Sequence, residues 1–345
     1  QQTMRTELST LGEFGLIDRI KLQQAEKQQK STLKGIGDDC AVIEKSKTEV
    51  TLISTDILLE GIHFDLTYTP LLHLGYKAVA VNVSDVAAMN GIPQQITVSI
   101  AISNRFSVEA IDELYKGIRL ACENYKVDLV GGDTTSSQRG LMISVTVIGT
   151  AKKSEVAYRS GAKVNDVICV SGDLGAAYAG LQILEREKEV YSANPEMQPE
   201  LEGKDYVIKR LLKPEGRTDI VHELKDLGIV PTSMIDISDG LASEMLHICN
   251  ASGVGAYVYE DKLPITHDTE QTLFDFKLDP TTAAMNGGED YELLFTVSMK
   301  DFEKLKNHED ITTIGYITEK VKGVIMISKK GNQYPIKAQG WDHLV

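Results

Sequence analysis

Five short segments place an acidic residue beside glycines or hydroxyls at the end of an apolar stretch or the start of one. They are Gly35-Ile-Gly-Asp38-Asp39, Ser54-Thr55-Asp56, Gly131-Gly132-Asp133-Thr134, Asp236-Ile-Ser238-Asp239-Gly240 and Gly287-Gly288-Glu289-Asp290. Each alone reads as a turn, since Asp and Gly are turn residues. Together they favour carboxylates with neighbouring hydroxyls, which is the ligand set of a hard cation. Strand ends facing a crevice are where α/β proteins place ligands, and glycine lets backbone approach a phosphate.

Asp85 is the sharper signal. In the helical stretch predicted over 71–90, Leu74, Ala78, Val81 and Ala88 share one face, and Asp85 falls on that same face. An unpaired carboxylate there costs several kcal/mol, so it needs a cation, a basic residue or a backbone cap. A structural salt bridge and metal coordination both meet that need, and the second is preferred here. Converging aspartates repel one another, and two or more Mg²⁺ ions relieve this while bridging phosphates. That chemistry is phosphoryl transfer. Arg159 and Lys163, in YRSGAK, supply a basic complement before the turn SGDLG, which opens a helix whose N-terminus favours an anion. For Arg159, a salt bridge linking two domains is an equal alternative.

The elements that must position these groups follow from hydrophobic patterning. A helix is expected from Thr10 to Ile20, with Thr10 and Glu13 spaced as a capping box. Strands are expected at 50–54, 96–102, 127–130 and 141–149, with helices at 71–90 and 107–124 between them. The second half repeats this texture, with strands at 167–171 and in GAYVYE, YELLFTV and GVIMIS, and helices from Gly175, near 205–227 and at 240–251. The expected fold class is α/β (α+β) in two domains, 1–150 and 151–345. Residues 186–204, charged and carrying two prolines, read as an exposed excursion.

Composition bounds the function. With 36 Lys+Arg against 50 Asp+Glu, the 345-residue chain carries a formal charge of −14. This argues against nucleic acid and anionic membranes as partners, which need clustered cations. Four dispersed cysteines make neither a disulfide framework nor a zinc site, and no apolar signal core or spanning segment occurs, so a cytoplasmic protein is expected. The motif G-x-x-x-x-G-K-[ST] is absent, as are the protein-kinase elements and H-E-x-x-H.

The blocks LGEFGLI, GIGDDCAVI, ISTD with GIHF, KAVAVNVSDVAAMNGIP, VGGDTT, YRSGAK, IDISDGL, GGEDYELLFTV and GWDH run in order from residue 11 to 343. Together they resemble the thiamine-monophosphate kinase family, within the aminoimidazole-ribonucleotide synthetase-like superfamily. The resemblance implies ATP- and Mg²⁺-dependent phosphorylation of thiamine monophosphate to thiamine diphosphate. It implies a two-domain fold whose N-terminal sheets pair across a homodimer, with the site in the interdomain cleft. The implied metal ligands are Asp39, Ser54, Thr55, Asp56, Asp85, Asp133, Asp236 and Asp239. ATP is assigned to Tyr115, Gly132, Asp133, Arg159 and Ser238, and the thiamine substrate to His63, Glu289 and Trp341. Two local departures, Val164-Asn165-Asp166 after YRSGAK and Met89-Asn90-Gly91, alter turns. The alternatives are an ATP-using synthetase of the same superfamily and a non-catalytic nucleotide- or metal-binding module.

Overall fold

The computed structural model describes residues 7–24 and 26–339. The first half runs α1 (Gly12–Gln23), β1 (Thr32–Lys34), β2 (Ala41–Glu44), β3 (Glu49–Leu59), α2 (Leu71–Ala88), β4 (Ile92–Ile102), α3 (Val108–Tyr125), β5 (Asp128–Ser136) and β6 (Met142–Lys152). Its strands form one sheet in the order β1-β2-β3-β6-β4-β5, antiparallel except for the β4–β5 pair. Beyond it come β7 (Val167–Ser171), α4 (Ala176–Ala193), α5 (Asp205–Leu212), α6 (Thr218–Asp226), β8 (Ser233–Asp236), α7 (Leu241–Ser252) and β9 (Gly255–Tyr259). The chain closes with α8 (His267–Asp275), α9 (Pro280–Asn286), β10 (Leu293–Val297), α10 (Met299–Phe302), β11 (Ile311–Thr318), β12 (Val324–Ile327) and β13 (Gln333–Pro335). These strands make a second sheet, β13-β12-β9-β11-β7-β10-β8. The expected mixture of helix and sheet is what the chain adopts.

Helix α2 is the keystone. Most of its residues from Leu74 to Ala88 are buried, on every face, because it lies between the first sheet and the elements β8, α5 and α6 of the second half. It crosses α3 at two glycines. A Cβ on Gly75 would meet the Leu114 carbonyl oxygen at 2.0 Å, and one on Gly117 would meet that of Leu72 at 1.9 Å. Only glycine permits backbones this close.

Two expectations are corrected. Thr10 does not cap α1: residues Leu8–Thr10 form a 3₁₀ turn, the cap position falls on Leu11, and no side chain caps the helix. The apolar residues Phe14, Ile17 and Ile20 of this helix are exposed, with the Phe14 ring centroid 4.6 Å from that of His247. The excursion expected from 186 begins later, because α4 continues to Ala193. Its charged residues are good helix formers, so charge alone did not mark a loop.

Candidate active site

In strand β3 alternate side chains face opposite ways, so Ser54 and Asp56 point toward α2 and Thr55 points outward. The Ser54 hydroxyl donates to Asp85 Oδ2, and the Asp56 N–H donates to Asn82 Oδ1 at 3.0 Å. Thr55 Oγ1 donates instead to the Val145 carbonyl at 3.1 Å on the outer face. From the second sheet, Asp236 ends β8 and accepts from Ser84 Oγ at 2.5 Å. Asp39, from the loop before β2, completes the group. Asp39, Asp85 and Asp236 each offer a carboxylate oxygen, and these oxygens lie within 4.8 Å of one another.

Burial and mutual repulsion push these carboxyls toward their neutral forms. Burial raises Asp85 well above the usual range, with Asp56, Asp236 and Asp39 adding to it. Asp236 is pushed up to about 8 by burial and by Asp39, and Asp56 to about 6 by burial and by Asp39. Burial also raises Asp39, although Arg159 opposes it. Arg159 Nη2 donates to Asp39 Oδ1 at 2.6 Å, and the Arg159 backbone N–H donates to the Asp38 carboxylate. Arg159 thus ties the segment between the sheets to the first half, as the salt-bridge reading expected. Asp39 Oδ2 is buried and has no hydrogen-bond partner. An orphaned carboxylate oxygen among three converging carboxyls fits a hard divalent cation such as Mg²⁺.

Beside this cluster is a cavity of about 360 Å³, lined by His63, Lys77, Ser238, Asp239 and Glu289 among others. It joins residues of both halves. Glu289 adopts a left-handed backbone (φ 62°), which a non-glycine residue takes at a cost, and its N–H donates to the Ser238 carbonyl at 2.7 Å. Lys77, from the buried core of α2, reaches Glu289 Oε2 at 2.5 Å.

Not every expected residue converges here. Asp133 lies on β5, an edge strand exposed along its length, outside the three-carboxylate group. Gly132 precedes it, backed so closely by β4 that a Cβ would meet the Val98 carbonyl oxygen at 1.7 Å. Tyr115 packs on the core of the first sheet. Trp341 lies outside the described residues.

Residues 37–151 match the family described as AIR synthase related protein, N-terminal domain. The thiamine-monophosphate kinase of Bacillus subtilis is 36% identical over 338 residues, covering 96% of this chain and 99% of the relative. The chain belongs to the thiamine-monophosphate kinase family. It is a thiamine-phosphate kinase, a phosphotransferase. The Escherichia coli enzyme of this family is 35% identical over 341 residues, covering 96% and 98%. A solved structure, AaThiL complexed with AMPPCP and TMP, matches at 34% identity with a TM-score of 0.83, covering 99% of this chain and 100% of that one. A hydrogenase maturation protein in complex with ATP matches at 17% identity and a TM-score of 0.68, over 94% of this chain and 90% of that one, and so shares the fold.

Lys77 is one residue of this cavity that sequence reasoning missed. Its signal was present: it lies three residues after Leu74, on a helix with no other lysine. Ser84 was missed too, because serine on a buried helix reads as packing until Asp236 is brought against it. The anion expected at the N-terminus of α4 turns out to be the chain's own Asp290, which accepts from Gly175 N–H at 3.1 Å. Among the described residues of the kinase, no helix is long and apolar enough to cross a membrane.

Proposed function

We propose that this kinase transfers the γ-phosphoryl group of ATP directly to the phosphate of thiamine monophosphate, giving thiamine diphosphate. The observation that carries the reading is the convergence of Asp39, Asp85 and Asp236 beside a cavity lined by His63, Lys77 and Glu289. The 34%-identical structure with AMPPCP and TMP supports the choice of substrates. A phosphate monoester has a second pKa of about 6, so the acceptor is already a dianion at neutral pH and needs no general base. What the protein must do is align two anions and offset their repulsion.

Asp39, Asp85 and Asp236, with Ser54, Thr55, Asp56, Asp133 and Asp239, are the proposed holders of Mg²⁺, which supplies charge neutralisation to the phosphates. Ser54 and Ser84 orient the Asp85 and Asp236 carboxylates by donating to one oxygen of each. Arg159, paired with Asp39 in the metal-free chain, would exchange that carboxylate for a phosphate oxygen of ATP. Tyr115, Gly132, Asp133 and Ser238 are the remaining proposed ATP contacts. His63, Glu289 and Trp341 are assigned to thiamine monophosphate, with a carboxylate and an aromatic face suited to the thiazolium cation.

Residues 1–150 would form the metal, ATP and dimerisation domain, and 151–345 would complete the substrate site. Ile57, Leu59, Leu129 and Val130, in the first sheet, are exposed apolar residues suited to pairing in a homodimer. The test is incubation with ATP, Mg²⁺ and thiamine monophosphate, with thiamine diphosphate followed by chromatography. Product from the wild type and its loss in Asp56→Asn are expected. An unchanged rate in Asp56→Asn sinks the proposal. Trp341→Ala is expected to weaken thiamine monophosphate binding more than ATP binding.

A further inference from the structure

On the far side of α5 from the substrate cavity lies a second and larger one, of about 860 Å³. Leu211 and Leu212 of α5 face the first cavity, whereas Lys209, Arg210 and Lys213 line the second. Its walls come from both halves of the chain: Tyr125 and Lys126 at the end of α3, and the segment from α5 to α6. Its size suits a small metabolite.

The charges of this cavity divide into two sets. Each carboxylate lining it has a neighbour on at least one oxygen, although Asp290 Oδ2 is buried without a hydrogen-bond partner. Glu215 accepts from the Tyr76 and Tyr125 hydroxyls at 2.6 and 2.5 Å. Glu292 pairs with Arg210 at 3.2 Å and Arg217 at 2.6 Å, Asp219 pairs with Arg217 at 3.0 Å, and Asp290 lies 3.9 Å from Arg210. Both arginines are thereby spent. Lys126, Lys209 and Lys213 have no carboxylate partner among the described residues. Lys213 instead sits 4.2 Å above the Tyr76 ring. Lys209 and Lys213 stand one helical turn apart, a spacing at which like charges repel. Their unneutralised charge reaches His73, whose affinity for a proton is lowered by burial and then by Lys213 and Lys209. In a chain with a formal charge of −14, a lining of five cationic side chains (Lys126, Lys209, Arg210, Lys213 and Arg217) against four carboxylates is a local reversal of sign.

We propose that this cavity is a second ligand site, distinct from the substrate cavity, which binds a phosphorylated small molecule through Lys126, Lys209 and Lys213. Metal-mediated phosphate binding requires the carboxylate cluster, whereas this site binds phosphate by direct charge pairing and needs no divalent ion. The two sites therefore separate experimentally.

The test is calorimetric titration of the full-length protein with sodium tripolyphosphate in EDTA at low ionic strength, where phosphate binding at the carboxylate cluster is suppressed. Binding is expected, at least tenfold weaker in Lys209→Ala/Lys213→Ala and unchanged in Lys306→Ala, a lysine outside this cavity. A second titration with ATP, also in EDTA, separates the sources. Tighter binding than tripolyphosphate, equally sensitive to the double substitution, supports a nucleotide; equal or weaker binding with that sensitivity supports a phosphate-only site. Absence of tripolyphosphate binding to the wild type, or equal affinity in the folded double variant, overturns the proposal. None of these readouts depends on kinase activity.

Discussion

Lys77 and Glu289, 212 residues apart in sequence, meet at 2.5 Å in the wall of the cavity beside the carboxylate cluster. The lysine is 5% exposed and the glutamate 31% exposed, so the pair is anchored at one end in the core of α2 and open at the other to the cavity. Lys77 Nζ also donates to the Leu211 carbonyl at 3.3 Å, which fixes its direction. The pair links the two halves of the chain at the point where thiamine monophosphate is proposed to bind.

Removing the ammonium while keeping the chain length, as in Lys77→Met, is expected to destabilise the fold by only ~1–2 kcal/mol, because Glu289 regains water. The Michaelis constant for thiamine monophosphate should rise about tenfold or more, with that for ATP little changed. Steady-state kinetics with each substrate varied, alongside urea melts, checks this. Equal effects on both constants would remove Lys77 from the acceptor side.

Asp85 shows a conflict between stability and function. In metal-free protein it stands among Asp56, Asp236 and Asp39 with burial already disfavouring its charge. Asp85→Asn relieves that repulsion without changing the side-chain shape, so metal-free stability at pH 8 should rise by about 1–2 kcal/mol. Activity should fall at least a hundredfold. A substitution that destabilises in EDTA would contradict the proposed crowding of charge.

The same carboxyls set a pH dependence. Asp236 is raised from its ordinary 3.8 to about 8, and Asp56 to about 6. Between these ordinary and raised values the folded chain holds protons that the unfolded chain has lost. Metal-free stability contributed by these groups therefore declines as pH rises from about 4 to about 8. Divalent ions need the deprotonated carboxylates, so their stabilising effect grows over the same range. The rise in melting temperature on adding 5 mM MgCl₂ (a concentration on the order of ordinary assay conditions) should be larger at pH 8 than at pH 6. A smaller rise at pH 8 would argue against cation binding by this cluster.

Gly132 tests the edge strand. Its missing side chain leaves room for the Val98 carbonyl, where a methyl group would sit at 1.7 Å. Gly132→Ala must push β5 off β4 or bend it, with an expected loss on the order of 2–3 kcal/mol. Asp133 would move with it. Thermal melts should show the loss, and an unperturbed melting temperature would mean that β5 yields freely.

Much of this protein was legible in the chain itself. Alternation and helical periodicity placed the strands at 50–54, 96–102 and 141–149 and the helices near 71–90 and 107–124, since side-chain period follows directly from backbone geometry. Asp85 on an apolar helix face announced a partner before any fold was known, because burying a charge alone is too costly to be incidental. Asp39, Asp56, Asp236 and Asp239 were legible as carboxylates at strand or loop ends. The start of α1 was misread, since the Thr10–Glu13 spacing of a capping box is also met by a 3₁₀ turn over Leu8–Thr10 that moves the cap to Leu11.

Tertiary structure decided which of these groups belong together. No local rule shows that Ser84 would reach Asp236, that Arg159 would hold Asp39, or that Lys77 would find Glu289, because such contacts join segments from about 120 to more than 200 residues apart. Nor could sequence order separate the carboxylates that converge within 4.8 Å from Asp133, left on an exposed edge strand. The chain alone determined the chemistry available, because side-chain type is local. The fold decided its geometry, because burying α2 between two sheets is what draws distant residues into one place.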